Sequence, residues 1–294
     1  WLLDYACRAR YGSRLDTTSA WAGLAAFASE APGHPLLAWP EGNGFLVGHL
    51  QKTVRERIRT SHVVTSIRHA TPELLHVGAW DAANQRPVGF QARRVIYAAP
   101  MQSASYIVPS LWEARPQGFT GFLQDSWLVA NLTLRSRPKE RSFPPARENI
   151  LRDGVGLGYV AASHQALRDH GPALWTWYHA LAAPEVRADW KHLQAMDWKA
   201  CARLVLDDLQ RAHPGIERHI ARLDVQRWAH AMVRPRPGFL FGEALRRARE
   251  PFEGLHFAHT DLSGIARFEE AQDHGLRAAE EVLTALGRPS STWR

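Results

Sequence analysis

The spacing of apolar residues along the chain separates helical from extended stretches. Residues 1–12 have the pattern of an amphipathic helix that ends at a glycine, and an alanine-rich helix is predicted over residues 20–29. The glycine pair in Gly42-x-Gly44 then marks a loop. A third helix is predicted from this loop to about residue 57.

Period-two alternation and short apolar runs predict strands in both halves of the chain. In the first half they lie at 35–39, 62–68, 74–80 with a hairpin partner around residue 90, and 93–100. In the second half they lie at 125–134, 156–163, 173–180 and 219–228. Residues 184–212 have helical spacing, and His213-Pro-Gly215 is expected to end that helical region because proline and glycine interrupt it.

The most informative local pattern lies near the end of the chain. The apolar run 255–258 gives way to the turn formers Thr260, Asp261, Ser263 and Gly264, after which apolar residues recur at helical spacing. The predicted order is therefore strand, turn and helix. The first amides of a helix have no partner within it, so this stretch is a candidate site for a ligand oxygen or anion.

The same stretch resembles the closing segment of the flavin-dependent amine oxidase superfamily, which includes monoamine oxidases, protoporphyrinogen oxidase and the carotenoid desaturases. The family pattern is roughly Phe-Ala-Gly-(Thr/Asp)-(Asp/Glu), then Glu-Gly-Ala and a Gly-x-x-Ala-Ala helix. This chain has Phe-Ala-His-Thr-Asp at 257–261 and Gly-Leu-Arg-Ala-Ala at 275–279. The resemblance implies that Asp261 binds the FAD ribityl chain and that Arg267 and Phe268 meet the flavin pyrimidine oxygen through their amides. Glu269 matches the family's helix-start glutamate.

Two residues of the closing stretch depart from the family pattern. His259 stands where the family usually has glycine, and Glu270 replaces the second small residue. Glycine lets a backbone approach a ligand closely, so either replacement is expected to bring bulk next to the cofactor.

A second resemblance lies in the first half of the chain. In the family a glycine-rich loop starts a helix, a short strand follows, and Val-Ile-x-Ala-x-Pro closes the unit; this chain has the Gly42-x-Gly44 loop, the strand 62–68 and Val-Ile-Tyr-Ala-Ala-Pro at 95–100. The family holds the adenine with the backbone of a valine in the short strand. This implies Val64 here, or Val63 if the register is off by one. Taken alone, each stretch also fits a plain structural strand or turn.

These resemblances imply an α/β chain of mixed α+β content, in which part of a Rossmann-like FAD-binding domain carries an inserted substrate domain of mixed sheet and helices. The expected segments are a helical remnant of the substrate domain at 1–35, FAD-binding segments at 36–108 and 236–294, and the substrate domain at 109–235. No Gly-x-Gly-x-x-Gly fingerprint follows a strand, and Trp1 is not a translation start. We therefore expect an incomplete chain whose fingerprint lies upstream.

Composition and charge narrow the class of partner. The 294 residues include 36 Lys and Arg against 29 Asp and Glu, a net charge of +7, but the arginines are dispersed along the chain. A nucleic-acid-binding face usually clusters its basic residues, so nucleic acid is not an expected partner. No apolar run approaches the length of about 18 residues that spans a bilayer. The two cysteines are far apart and imply no disulfide framework.

The histidines and paired acids have structural interpretations. His256 and His259 form an H-x-x-H across a predicted strand and turn, where alternation places them on opposite faces, so no metal site is expected. The acid pairs at 207–208, 269–270 and 280–281 lie on predicted helices and are expected to face solvent, with Glu269 as the exception.

The functional expectation follows from the cofactor. The flavin ring accepts the hydride, so the protein mainly supplies position and electrostatics. The resemblance implies an FAD-dependent oxidoreductase, a monomer or weak homodimer, that oxidises a C–N or C–C bond of a small or apolar substrate. The strand 127–134 lacks the lysine that oxidases of the family often place there, so dehydrogenase, desaturase and isomerase chemistry are equally expected.

Trp228 and His230 are the candidates for the wall of the substrate pocket. His230 is a candidate acid or base near neutral pH, although both residues also fit a structural role at a strand end. The alternative function is a non-catalytic ligand-binding or interaction module derived from the same fold, in which His259 fills the cofactor space.

Overall fold

The computed structural model describes residues 1–29, 39–115, 121–139, 146–162 and 170–288. The helices are α1 (Leu2–Tyr11), α2 (Ala20–Ala28), α3 (Asn43–Gln51), α4 (Met101–Ile107), α5 (Pro109–Ala114), α6 (Val186–Ala195), α7 (Trp198–Ala212), α8 (Glu243–Ala248) and α9 (Phe268–Ala285). The strands are β1 (His62–Thr71), β2 (Leu74–Asp81), β3 (Arg86–Ala92), β4 (Val95–Tyr97), β5 (Gln124–Leu134), β6 (Glu148–Asn149), β7 (Gly158–Ala161), β8 (Ala173–Ala180), β9 (Ile220–Val233) and β10 (Leu255–Phe257). The strand predicted at 35–39 falls almost wholly outside the described residues.

The chain divides into two compact units, each built from two stretches of sequence. Unit 1 comprises residues 1–47 and 124–234, and unit 2 comprises residues 48–123 and 235–294. The sequence analysis ended the first FAD-binding segment at residue 108. In the structure α5, which begins at residue 109, belongs to unit 2 together with most of that segment. The reason is that α5 packs against α4, which in turn packs against β1.

Unit 1 is built on a five-stranded antiparallel sheet in the order β6-β7-β8-β5-β9. Alternate residues of β5 form its core, because successive side chains of a strand point to opposite faces. These fully buried residues are Leu128, Ala130, Leu132 and Leu134. Helix α7 completes the core with residues four apart on one face, Cys201, Val205 and Leu209.

The start of α7 has a side-chain cap. The Asp197 carboxylate accepts a hydrogen bond from the Ala200 amide at 2.7 Å, which satisfies one donor of the first turn. The predicted helical region 184–212 is interrupted before this cap, so it forms two helices, α6 and α7.

One predicted surface acid of unit 1 is buried. Asp207 faces solvent as expected, but Asp208 is buried and accepts hydrogen bonds from the Val155 amide at 2.8 Å, the Gly156 amide at 3.1 Å and the Trp177 indole at 2.8 Å. The expectation of a solvent-facing pair was therefore wrong for Asp208. Three donors compensate for the removal of its carboxylate from water.

Unit 2 contains a three-stranded antiparallel sheet, β1-β2-β3, and a parallel pair, β4 and β10. The side chains of β10 are fully buried, and α9 packs against this strand. The strand, turn and helix predicted for the closing segment are all present: β10, a 3₁₀ turn over Thr260–Ser263, and α9. The mixed α/β fold class is confirmed.

Candidate functional site

The closing turn of unit 2 changes the chain direction within a few residues. The 3₁₀ turn Thr260–Ser263 ends at Gly264, whose φ of 71° lies in the left-handed region that favours glycine. A Cβ added there would lie 2.6 Å from the Leu240 side chain. Gly264 therefore allows both the turn and its close packing, and α9 begins four residues later.

Asp261 lies in this turn and is buried, with 2% of its surface exposed. Its Oδ2 accepts a hydrogen bond from the Met101 amide at 2.9 Å and lies 3.3 Å from His259 Nδ1. Met101 is the first residue of α4, so the carboxylate satisfies an amide at that helix start. Asp261 thereby ties the closing turn to α4.

His259 folds back onto the turn. Its Nδ1 accepts a hydrogen bond from the Asp261 amide at 3.1 Å and caps the 3₁₀ turn. Since Nδ1 is the acceptor, the proton of the neutral ring is on Nε2. The imidazole is therefore held by its own turn.

The start of α9 includes the Phe268 amide as a backbone donor, whereas the Arg267 amide already donates to the Ile265 carbonyl at 3.1 Å. Arg267 precedes the helix with extended backbone and makes no side-chain cap to it, and Phe268 is the first helical residue. Two acids lie in the first turn, where they complement the positive end of the helix. Glu269, named as the exception among the solvent-facing acids, is exposed, whereas Glu270 is partly buried and accepts a hydrogen bond from Ser263. The prediction that Glu270 faces solvent was therefore wrong.

The other predicted cofactor residue, Val64, lies on a separate sheet of unit 2. Val64 pairs with Ala79 of β2 and is followed by a register shift before Ser66. Val63 and Val64 are 58% and 38% exposed. The structure thus gathers Asp261, Arg267, Phe268 and Glu269 along one turn and helix start, while Val64 lies on β1.

In unit 1, one face of the sheet is aromatic. Trp228 of β9 pairs in register with Trp127 of β5, and the Trp127 ring stacks with Tyr178 of β8 at a centroid distance of 6.1 Å. Trp228 is 51% exposed. Burial raises the pKa of Tyr178, and the nearby Tyr5 phenol raises it further. This face can contact a flat or apolar ligand group.

His230 has different surroundings from Trp228. Its ring stacks with Trp190 of α6 at a centroid distance of 6.1 Å. This packing removes water from part of the ring and lowers the pKa of His230, although the residue remains exposed overall. The register of β9 against β5 shifts between Asp125 and Trp127, where a bulge or irregularity breaks simple alternation. The two predicted wall residues therefore have separate aromatic neighbours.

Sequence reasoning missed two features of these sites. The stacked pair Trp127 and Tyr178 lies on predicted strands, but which strands are neighbours, and in which register, cannot be read from alternation. Ser263 bonds to Glu270, seven positions further along the chain. Ser263 Oγ also lies 2.8 Å from His274, which is eleven positions further along. The only sequence signals for this contact were the position of Ser263 in the turn and that of Glu270 in the helix start.

Two further observations concern metal and membrane. In the described part of the chain, no three or more His, Cys, Asp or Glu side chains are grouped as a metal site requires. His256 instead lies 2.9 Å from a carboxylate oxygen of Glu281. Glu281 is partly buried, so the prediction that it faces solvent was wrong. None of the helices in the described ranges is both long and apolar enough to cross a bilayer.

Comparison with known proteins gives a family and a fold. A family model described as flavin containing amine oxidoreductase matches residues 3–283. The structure of cyclohexylamine oxidase from Brevibacterium oxydans IH-35A aligns with a TM-score of 0.64 and 16% identity, covering 97% of this chain and 64% of that chain. Putrescine oxidase bound to putrescine aligns with a TM-score of 0.62 and 14% identity, covering 83% and 53%. Reduced UDP-galactopyranose mutase aligns with a TM-score of 0.53 and 11% identity, covering 85% and 52%.

The chain spans between about half and two thirds of the length of these solved chains. At such identities the likeness establishes a shared fold. No curated protein sequence matches the chain.

Proposed function

Because the chain belongs to the flavin-containing amine oxidoreductase family, we propose that it contributes to an FAD-dependent oxidoreductase that oxidises a C–N or C–C bond of a small or apolar molecule by hydride transfer. The observation that carries this proposal is the family match over nearly the whole chain. The protein acts as a monomer or weak homodimer.

The cofactor-binding residues are assigned to unit 2. Asp261 holds the ribityl chain, the amides of Arg267 and Phe268 donate to the pyrimidine oxygen, Glu269 completes the helix start, and the backbone of Val64 contacts the adenine. FAD supplies the hydride acceptor when bound. The position of Phe268 supports this assignment, because the first amides of a helix have no partner within it. The Arg267 amide donates to the Ile265 carbonyl at 3.1 Å and would exchange that partner for the flavin oxygen.

The two departures from the family pattern are compatible with the cofactor. The His259 ring is held to its own turn by the Asp261 amide, and the Glu270 carboxylate is held by Ser263. Both side chains are fixed by neighbours within the closing segment. This supports a site in which neither side chain occupies the space in front of the Phe268 amide.

The substrate-binding residues are assigned to the aromatic face of unit 1. Trp228 forms part of the pocket wall beside Trp127 and Tyr178, and His230 is an acid or base that acts near neutral pH. An aromatic wall excludes water and contacts apolar groups, which favours a substrate with a ring or alkyl portion. The names of two similar structures, a cyclohexylamine oxidase and a putrescine oxidase, support a C–N bond as the one that is oxidised.

The test is a visible absorption spectrum of the full-length parent protein, purified without added cofactor, compared with that of its Asp261→Ala variant; residues 1–294 alone are expected to bind FAD weakly or not at all, because they lack the glycine-rich fingerprint. We expect a flavin spectrum that weakens in the variant, while the far-ultraviolet circular dichroism of the two proteins stays the same. A colourless, well-folded full-length parent would reject the oxidoreductase and leave the alternative, a ligand-binding or interaction module.

A further inference from the structure

A chain of polar side chains runs along α9 and ends beside the closing turn. Arg277 Nε donates to His274 Nδ1 at 3.3 Å, and His274 Nε2 lies 2.8 Å from Ser263 Oγ. Ser263 Oγ in turn donates to the Glu270 carboxylate. His274, in the middle of this relay, is 4% exposed. Buried polar groups in such a network have their geometry fixed by their partners.

The direction of every hydrogen bond in the relay follows from its two ends. A guanidinium only donates, so His274 Nδ1 is an acceptor and its ring proton is on Nε2. Nε2 therefore donates to Ser263. The hydroxyl proton of Ser263 is then directed to Glu270, because a carboxylate accepts.

This direction is opposite to that of a nucleophilic serine. In a serine–histidine pair the imidazole accepts the hydroxyl proton, and an acid orients its other nitrogen. Here the imidazole donates to Ser263, and the other nitrogen faces the cation of Arg277. The relay is thus built to hold Glu270.

Arg277, the first residue of the relay, is held in place by several other contacts. Arg277 also donates to the carbonyl oxygens of Phe257 at 2.6 Å and Arg249 at 3.2 Å, and it pairs with Glu281. At the other end, the bond between Ser263 and Glu270 closes the loop 263–270, which contains Arg267 and Phe268. The relay therefore connects a fixed arginine to the helix start assigned to the flavin pyrimidine.

We propose that Arg277, His274 and Ser263 are positioning residues that hold the Glu270 carboxylate at a fixed place beside the flavin site, where its charge opposes the build-up of negative charge on the flavin pyrimidine. This inference rests on the proposed function. It concerns residues at which this chain differs from the family pattern, since Glu270 replaces a small residue.

A charge at a fixed short distance in a partly buried site acts more strongly than an exposed charge, because solvent screens the latter. Sulfite is a suitable probe. It adds reversibly to oxidised flavin, forms a bond from its sulfur to N5 with no leaving group, and moves an electron pair onto the pyrimidine. A carboxylate held near the pyrimidine therefore weakens sulfite binding.

The experiment is a sulfite titration of the flavin-loaded protein, read from the loss of visible flavin absorbance. Glu270→Gln removes the charge and keeps a similar shape, and we expect it to tighten sulfite binding about tenfold. The matched control is Asp273→Asn, which removes a charge from an exposed residue one turn further along α9. We expect this control to change sulfite binding by less than about threefold.

Ser263→Ala tests the positioning role separately. It should change sulfite binding at least about threefold in the native background and leave it unchanged when Glu270 is already glutamine, because it acts through that carboxylate. Thermal unfolding of each variant verifies that it is folded.

Three results would overturn the proposal. One is an equal effect of Glu270→Gln and Asp273→Asn, and another is an equal effect of Ser263→Ala in both backgrounds. Either result, in a protein that retains flavin, rejects this inference alone. A native full-length parent without flavin rejects the proposed function and this inference with it.

Discussion

In unit 1 the buried carboxylates of Asp208 and Asp125 bond to groups of the protein core, whereas in unit 2 the buried Asp261 and the partly buried Glu270 lie at a turn beside the start of α9. Asp208 accepts from two amides and the Trp177 indole, and Asp125 accepts from Arg234 and from Ser13 at 2.6 Å. These partners come from several elements of unit 1. Their role is to join those elements.

Asp261 and Glu270 of unit 2 bond to groups at a turn and at helix starts. Asp261 accepts from the Met101 amide, and Glu270 accepts from Ser263. The two acids lie six residues before and three residues after Arg267, which precedes the helix. Burial of a carboxylate alone therefore does not distinguish a structural from a functional acid. The elements from which its partners come are the better criterion, and substitutions in the two units test it.

The largest effect is expected at the ion pair between Asp125 and Arg234. Both side chains are almost completely buried, and Asp125→Ala leaves the guanidinium without its carboxylate. We expect a loss of about 3–5 kcal/mol in the free energy of unfolding, measured in urea. The control is Asp224→Ala, which breaks an exposed pair with Arg222 and should have a much smaller effect. Equal losses would contradict the structural role of the buried pair.

Asp208→Asn is expected to have the next largest effect. An amide nitrogen in place of one carboxylate oxygen would face a donor such as the Trp177 indole, and the free energy of unfolding should fall by about 2–4 kcal/mol. The neighbouring Asp207→Asn, at an exposed position, should change it by less than about 0.5 kcal/mol. Similar values for the two variants would show that Asp208 is not a core partner.

His179 of unit 1 gives a pH-dependent prediction. Burial lowers the pKa of this imidazole to about 4, from a usual value of 6.5. Between these values the unfolded chain binds a proton that the folded protein does not, so stability falls as the pH is lowered through this window and is complete above it. We expect His179→Gln to remove about 2–3 kcal/mol of the stability difference between pH 7 and pH 4. Parallel stability curves for the native protein and the variant would reject this prediction.

A smaller effect is expected where α1 approaches the aromatic face. Gly12 has a φ of 71°, and an added Cβ would lie 2.6 Å from Trp127 Nε1. Gly12→Ala should therefore cost about 1–2 kcal/mol and alter the tryptophan fluorescence of the folded protein. Gly23→Ala, in the interior of α2 with open space at its Cβ, should instead stabilise by up to about 1 kcal/mol. The opposite signs separate a required glycine from a replaceable one.

Much of this fold could be predicted from the sequence wherever a single hydrophobic periodicity, helical or period-two, distinguished a helix from a strand. The strand predicted at 173–180 matches β8, and the helix start at Phe268 was placed correctly, because alternation and turn residues are local signals. The burial of Asp208 also had a local signal that was overlooked. It lies three residues after Val205 and seven after Cys201, on the apolar stripe of α7.

The remaining features depend on how distant segments meet. The register shift in β9 gives Trp228 and His230 different neighbours, and nothing in the alternation of 219–228 indicates it. The relay from Arg277 to Glu270 requires the closing turn to fold back on α9, so it depends on three-dimensional proximity. Site roles inferred from resemblance remain predictions for this reason.

Asp261→Asn is expected to have the smallest effect on stability and is the most direct test of the comparison between the units. Asparagine retains an oxygen that can accept from the Met101 amide, so the flavin-free protein should lose only about 1 kcal/mol in the free energy of unfolding. If Asp261 holds the ribityl chain as proposed, the same change removes the charge and half of the acceptor capacity of that side chain, so retention of flavin by the full-length parent through purification should fall clearly. Asp261→Asn could instead destabilise the protein as much as Asp208→Asn and leave flavin retention unchanged. Asp261 would then have the same structural role as Asp208, which joins elements of the core. The location of an acid at a turn beside a helix start would then have no predictive value for ligand binding in this molecule.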